Sequence, residues 1–147
     1  MKFIIILLLL NPPRVFGEEA QLSRGEIVLQ ISGLRNNNGI LRVLLFNSSD
    51  GFPSDHTKSY VRKNVSIIKD SVSVTIPNIP YKDYAVSVLH DENLNGELDT
   101  NWIGLPKEGI GVSNNVKSKL GPPRFKDAKF IIDSKKLFLN IEINYFF

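Results

Sequence analysis

Oxygen-bearing side chains fall on alternate positions between residues 91 and 99: Asp91, Asn93 and Asn95, then Asp99, with Gly96 after the third. Calcium is a hard cation that takes about six to eight oxygens at roughly 2.3–2.6 Å. A chain that turns sharply around such an ion presents alternate side chains to it, and a glycine permits the left-handed backbone of the turn. Asp91, Asn93, Asn95 and Asp99 take the side-chain ligand places of an EF-hand-type loop, Gly96 its fixed glycine, and the Glu97 backbone carbonyl its main-chain ligand. Trp102 stands where that pattern closes with a bidentate Glu. The approach, Tyr84 to His90, is rich in β-branched and aromatic residues and reads as a strand rather than a helix. The expectation is a calcium-type loop on a β scaffold, with calcium in a structural role. A plain polar turn is the alternative, since Asn, Asp and Gly are turn formers in their own right.

Catalytic chemistry finds less support. His90 and Asp91 are neighbours on a strand and point to opposite faces, so they do not make an acid–base pair. His56 is the other of two histidines, too few for a His-rich zinc site. There is no cysteine nucleophile and no Gly-x-Ser-x-Gly elbow. No catalytic residue is assigned, and His90 reads as a buried, hydrogen-bonded structural side chain.

Short strands must position the loop. Glu26 to Leu34 alternates, with Ile27, Leu29 and Ile31 on one face, and Gly33 to Gly39 turns the chain. Ile40 to Asn47 is apolar at nearly every position and reads as a central strand buried on both faces. Ser54 to Lys63 is polar, a loop or one helical turn. Val65 to Lys69 is a weaker strand; Ser71 to Ile76 alternates cleanly, and the strand ending at His90 follows. Ala128 to Ile132 and Leu137 to Tyr145 close the series. About seven strands without a helical period indicate an all-β fold: a single antiparallel β-sandwich, immunoglobulin-like or transthyretin-like. A long irregular excursion from Thr100 to Lys126 interrupts it. Its glycines Gly109 and Gly111 let the backbone approach something closely. Lys107, Glu108, Ser113, Asn114 and Asn115 offer polar groups for a ligand pocket, although a structural cap over one end of the sandwich is the favoured reading.

The chain of 147 residues fits one domain behind a leader. Met1 to Leu10 has a charged start and an unbroken apolar run, and Asn11 to Gly17 ends on a small residue, the signature of a secretory signal peptide cut after Gly17. The run is far short of the roughly 20 residues a membrane span needs, so no span is expected after cleavage. Residues 18–147 form the expected secreted domain, placed in the periplasm or outside the cell. Removing Lys2 and Arg14 from 18 basic residues leaves 16 against 15 acidic ones, so the mature chain is close to neutral. No basic stripe with interleaved aromatics is present, which argues against nucleic acid. Without cysteine, the domain depends on its core, and about 130 residues suffice for one.

The combination of Gly33-Leu34-Arg35, Leu41-Arg42-Val43, Phe46-Asn47, Gly51-Phe52-Pro53, His90 to Gly96, Leu98 to Asn101, Gly104 to Gly109 and Ser113-Asn114-Asn115 resembles a bacterial family of small secreted proteins, domain of unknown function family 2141. The resemblance runs from about Glu26 to Tyr145. It implies export and a compact β domain and carries no activity with it. The Asp/Asn loop is also similar to the ion loops of β-sandwich repeats in bacterial surface adhesins, which close with an acidic residue where this chain has Trp102.

Two function classes follow. One is an exported non-enzymatic β-sandwich with a calcium-type loop, a binding or structural module that meets an envelope protein or glycan. The other is a secreted hydrolase with its site between the ion loop and the Lys107/Glu108 segment. For export, protein recovered outside the cytoplasm is expected to begin at Glu18. Intact-mass measurement checks this, and a recovered species that retains Met1 rules cleavage out.

Overall fold

Burial alternates along most of the chain, and that alternation builds the sheets. A computed structural model describes residues 23–118 and 121–147; the expected leader, residues 1–17, lies outside them. β1 (Arg24–Ser32) buries Ile27, Leu29 and Ile31 on one face, and β2 (Ile40–Phe46) buries Leu41, Val43 and Leu45. β3 (Val61–Ser66) and β4 (Val72–Pro80) follow, then β5 (Asp83–Asp91), which buries Tyr84, Val86, Val88 and His90 inward. β6 (Gly109–Val112), a four-residue helix α1 (Phe125–Ala128), β7 (Phe130–Ile131) and β8 (Lys136–Glu142) complete the described elements.

The strands form two sheets, one ordered β4-β1-β8, the other β3-β2-β5-β6 with β7 also on β5. Their inner faces share one core, drawn from Ile27, Leu29 and Ile31, Leu41, Val43 and Leu45, Val74 and Ile76, Val86 and Val88, and Ile141. The fold is an all-β sandwich of eight strands among the described residues, against about seven expected. Pairing is antiparallel except between β1 and β8, which run parallel from Glu26↔Lys136 to Ser32↔Glu142. Among the described residues no helix is long and apolar enough to cross a membrane.

Several boundaries differ from the sequence reading for identifiable reasons. The strand expected over Val65 to Lys69 is β3, which starts at Val61 and runs through Arg62, Lys63 and Asn64. It is an edge strand, where charged side chains face water and discourage pairing with another chain. β4 runs past Ile76 through Pro77 to Pro80, which an edge strand tolerates because a missing N–H on its outer side breaks no ladder. In the polar stretch before β3, a single 3₁₀ turn, His56–Lys58, is capped by Asp55, whose side chain accepts from Thr57 N–H. β2 is central, between β3 and β5. Its outer face is only half covered, since Arg42 and Leu44 retain partial exposure.

The long excursion contains order that its sequence does not announce. β6 pairs with the end of β5, from His90↔Gly109 to Ser87↔Val112. Its two glycines let β6 approach the β8 end of the other sheet. A Cβ at Gly109 would collide with the Tyr145 ring, and one at Gly111 would lie 2.7 Å from Ile141 Cγ2 and 2.8 Å from the Glu142 carbonyl. The close approach expected at these glycines is thus to the protein's own last strand. Gly111→Ala is expected to lower unfolding free energy by about 1–3 kcal/mol through overpacking. Urea unfolding measures it, and a wild-type midpoint would mean that β8 moves aside freely.

Candidate functional site

β1, β4 and β8 join β2, β3, β5 and β6 in bringing one end of the sandwich together. The Asp91 end of β5 pairs with Ile40 at the start of β2, and Ile40 pairs with Ser66 at the end of β3. Ser32 at the end of β1 pairs with Glu142 at the end of β8. The connections 33–39, 67–71 and 92–108, and the last residues 143–147, therefore gather at this end.

Alternation along β5 sends His90 inward and Asp91 to the outer face. His90 is fully buried. Its Nε2 lies 2.8 Å from the Asn38 carbonyl, which can only accept, so Nε2 donates; Nδ1 lies 2.6 Å from the Tyr145 hydroxyl. The Tyr145 oxygen accepts the Arg35 N–H, and the Arg35 guanidinium sits 4.5 Å from the centre of the Tyr145 ring. Burial pushes the Tyr145 phenol up. Arg35 also grips Glu92 with both arms, Nε to Oε1 at 3.1 Å and Nη2 to Oε2 at 2.5 Å, while Asn36 Nδ2 donates to the same carboxylate at 2.6 Å. The Arg35 hydrogen bond holds the Glu92 carboxyl below its ordinary value, against the opposing effect of burial. His90 serves to tie β5 to the 33–39 turn and the chain after β8.

Asp91 points outward yet has 0% exposure, because the loop it starts folds back over it. Arg42, on the same outer face of β2, places Nε 2.5 Å from Asp91 Oδ2. Gly96 N–H donates to Oδ2 at 2.9 Å and Asn95 N–H to Oδ1 at 3.2 Å. Burial pulls the Asp91 carboxyl up, but the Arg42 hydrogen bond and the Gly96 N–H outweigh it, and the net shift is downward. Gly96 takes φ of 87°, as the loop pattern requires, and Leu94 also adopts a left-handed φ of 64°. A Cβ at Gly96 would lie 3.5 Å from Arg42 Nη2, so the loop is draped over the guanidinium.

The remaining loop residues satisfy one another. Asn93 Oδ1 accepts from Asn95 N–H and Asn95 Oδ1 from Glu97 N–H, short-range turns that fix both amides. Their Nδ2 groups both donate to Asp99 Oδ2, at 2.6 and 3.1 Å. Glu108, nearly buried, accepts Glu92 N–H on one carboxylate oxygen and Asp99 N–H on the other, at 2.9 and 3.2 Å. The five residues expected to surround calcium are therefore brought together, but Asn93 and Asn95 turn amide nitrogens, not oxygens, toward Asp99. As arranged they do not form an oxygen cage. Among the described residues no cluster of three or more His, Asp or Glu is poised to hold a metal, and no buried side-chain nitrogen or oxygen lacks a partner.

The polar residues of the excursion separate into two sets. Ser113, Asn114 and Asn115 lie away from the loop and tie elements together. Ser113 Oγ accepts Val86 N–H and donates to the Ala128 carbonyl at 2.6 Å; Asn114 Nδ2 reaches the carbonyls of Asp127 and Lys129. The Asn115 side chain pairs with β8 as a strand would, donating to the Asn140 carbonyl and accepting Glu142 N–H. Lys107 instead sits at the loop end, and among the described residues it makes no ion pair. With Arg35, Asn101 and Phe147 it lines a shallow depression of about 340 Å³.

Sequence reasoning missed Arg42 and the clamp role of Glu108. The first left a signal: a charged residue at an outward position of a central apolar strand asks for a buried partner.

The chain belongs to a bacterial family: the model of the family described as uncharacterized protein conserved in bacteria (DUF2141) matches residues 29–139. That span holds the loop, the excursion and most of both sheets. No curated protein and no solved structure matches the chain.

The Glu92 carboxyl supplies a pH dependence whose sign follows from its lowered value. Its contribution is present above the ordinary glutamate range and is lost as pH falls through the lowered folded-state value. Glu92→Gln is expected to cost about 1–2 kcal/mol at pH 7, with the deficit shrinking below about pH 4. Urea melts of both proteins at pH 7 and pH 3 decide it, and a deficit of constant size would show that the ion pair is idle.

Proposed function

We propose that this family member is an exported, non-enzymatic binding module of the cell envelope, whose contact face is the loop end and whose partner is an acidic glycan. The observation that carries this reading is where the apolar surface lies. Of the ten exposed large apolar side chains among the described residues, seven stand at the loop end: Ile68, Leu94, Trp102, Ile103, Leu105, Phe146 and Phe147. Exposed apolar groups gathered on one face mark interaction sites.

Trp102 is 95% exposed at the tip of a small hairpin that is nonetheless well tied. Thr100 and Pro106 form a bridge, Asn101 N–H donates to the Leu105 carbonyl at 2.8 Å, and Asn101 Oδ1 accepts from Ile103 and Leu105 N–H. A flat aromatic ring held on a prepared turn loses little freedom on binding and suits stacking on a sugar ring. The depression beside Asn101 is lined by Lys107 and by Arg35; Arg35 is already engaged by Glu92 and the Phe147 carbonyl, so Lys107 is the cation that suits a sugar acid. The hydrolase reading gains no comparable support, because both Glu108 oxygens are occupied by backbone N–H groups.

Trp102 is the single tryptophan of the chain, so its fluorescence reports on this tip alone. Titration with alginate, a soluble uronate polymer, is expected to shift its emission to the blue, with neutral dextran as control. Lys107→Ala should weaken alginate binding by about five- to tenfold, an order expected for one charge-assisted contact, without changing the melting temperature. Trp102→Ala should weaken binding similarly in calorimetric titration. Equal responses to dextran and alginate, or none to either, would remove the acidic-glycan reading.

A further inference from the structure

We infer that the Arg42 guanidinium is the resident cation of the Asp91–Asp99 loop, standing where the Asp/Asn spacing calls for calcium, so that the loop is ordered without a metal ion. Three features of the geometry point there. The carboxylate at the first ligand place, Asp91, has its buried charge matched by Arg42 at 2.5 Å. The Gly96 turn closes around that same guanidinium, with Nη2 3.5 Å from where a Gly96 Cβ would be. The amides at the next two ligand places are fixed by backbone N–H groups on their oxygens, so their nitrogens face Asp99. An entering calcium ion would meet N–H groups and a fixed positive charge, where it needs oxygens.

The same logic accounts for the missing acidic residue. A divalent ion in such a loop needs a further carboxylate at closure, and the chain has Trp102 there. A single guanidinium needs one carboxylate, and Asp91 supplies it. The carboxylate that does reach the loop from outside, Glu108, accepts two backbone N–H groups, from Glu92 and Asp99. Arg42 is itself steered by its neighbour across the ladder, Asn64, whose Oδ1 lies 3.5 Å from Nη1. Guanidinium is always charged and offers donors in a fixed fork, so the loop keeps one shape whatever the supply of divalent ions.

Thermal melts of the wild-type protein in millimolar calcium and in EDTA should superimpose, while Arg42→Ala should melt roughly 10 °C lower because it strands a buried carboxylate. The amides of Asn95 and Gly96, which donate to Asp91, should lose hydrogen-exchange protection in that variant and keep it in EDTA. If Arg42→Ala does not fold, the double variant Arg42→Ala/Asp91→Asn, which leaves no unpaired buried charge, should fold and show the same exposed amides. The inference is overturned if calcium raises or EDTA lowers the wild-type melting temperature. It is equally overturned if Asn95 and Gly96 stay protected once Arg42 is gone.

Discussion

A carboxylate cannot sit out of water without positive charge or donors around it, and Asp91 sits out of water at the end of the central strand β5. Much of the loop end follows from satisfying it. Arg42 must rise from the neighbouring strand, the backbone must return so that Asn95 and Gly96 can donate, and a glycine must stand where the return is tightest. Once the backbone has closed in this way, Asn93 and Asn95 have little choice of orientation, and Asp99 is drawn in by their amides. These hydrogen bonds hold residues that have no apolar core of their own.

A second polar device holds the excursion to the sheets. Glu108 draws the two ends of the loop together from the start of β6, while Ser113, Asn114 and Asn115 fasten the far end of β6 to β5, α1 and β8. Asn115 does what a strand edge would do, with one amide in place of a peptide group. A segment of this length normally carries loose backbone; here side-chain hydrogen bonds replace the ladder that its irregular path cannot make. The excursion is accordingly tied to the sheets by its side chains, and the hairpin tip around Trp102 is left exposed.

The strands were legible where one face is buried and the other wet, because alternation in β1, β4 and β8 follows from the pleat. Edges were less legible: β3 contains Arg62, Lys63 and Asn64, and nothing local says that such residues pair with a strand as apolar as β2. The parallel pairing of β8 with β1 is a matter of topology, which periodicity does not encode. At the site, the spacing of Asp91, Asn93, Asn95 and Asp99 correctly located a closed loop with a left-handed glycine. It could not say what fills the loop, since Arg42 lies 49 residues upstream and reaches Asp91 only because β2 and β5 are neighbours. Spacing reports the shape of a turn; the pairing of Arg42 with Asp91 depends on the register of a sheet.

The side chains that hold this end of the molecule are not the ones it exposes. The groups that hold it, Asp91 with Arg42, Glu92 with Arg35, and His90 with Tyr145, lie beneath the surface or engage one another. The side chains of Trp102, Ile103 and Lys107 take no part in those contacts, although the Lys107 carbonyl accepts from Arg35. Side chains that carry no stabilising duty can change without unfolding the domain, whereas a change at Arg42 alone leaves the Asp91 charge unmatched. A scaffold fixed from below by charge pairs, with an apolar rim left over, is a physical arrangement in which the rim can vary while the fold stays put.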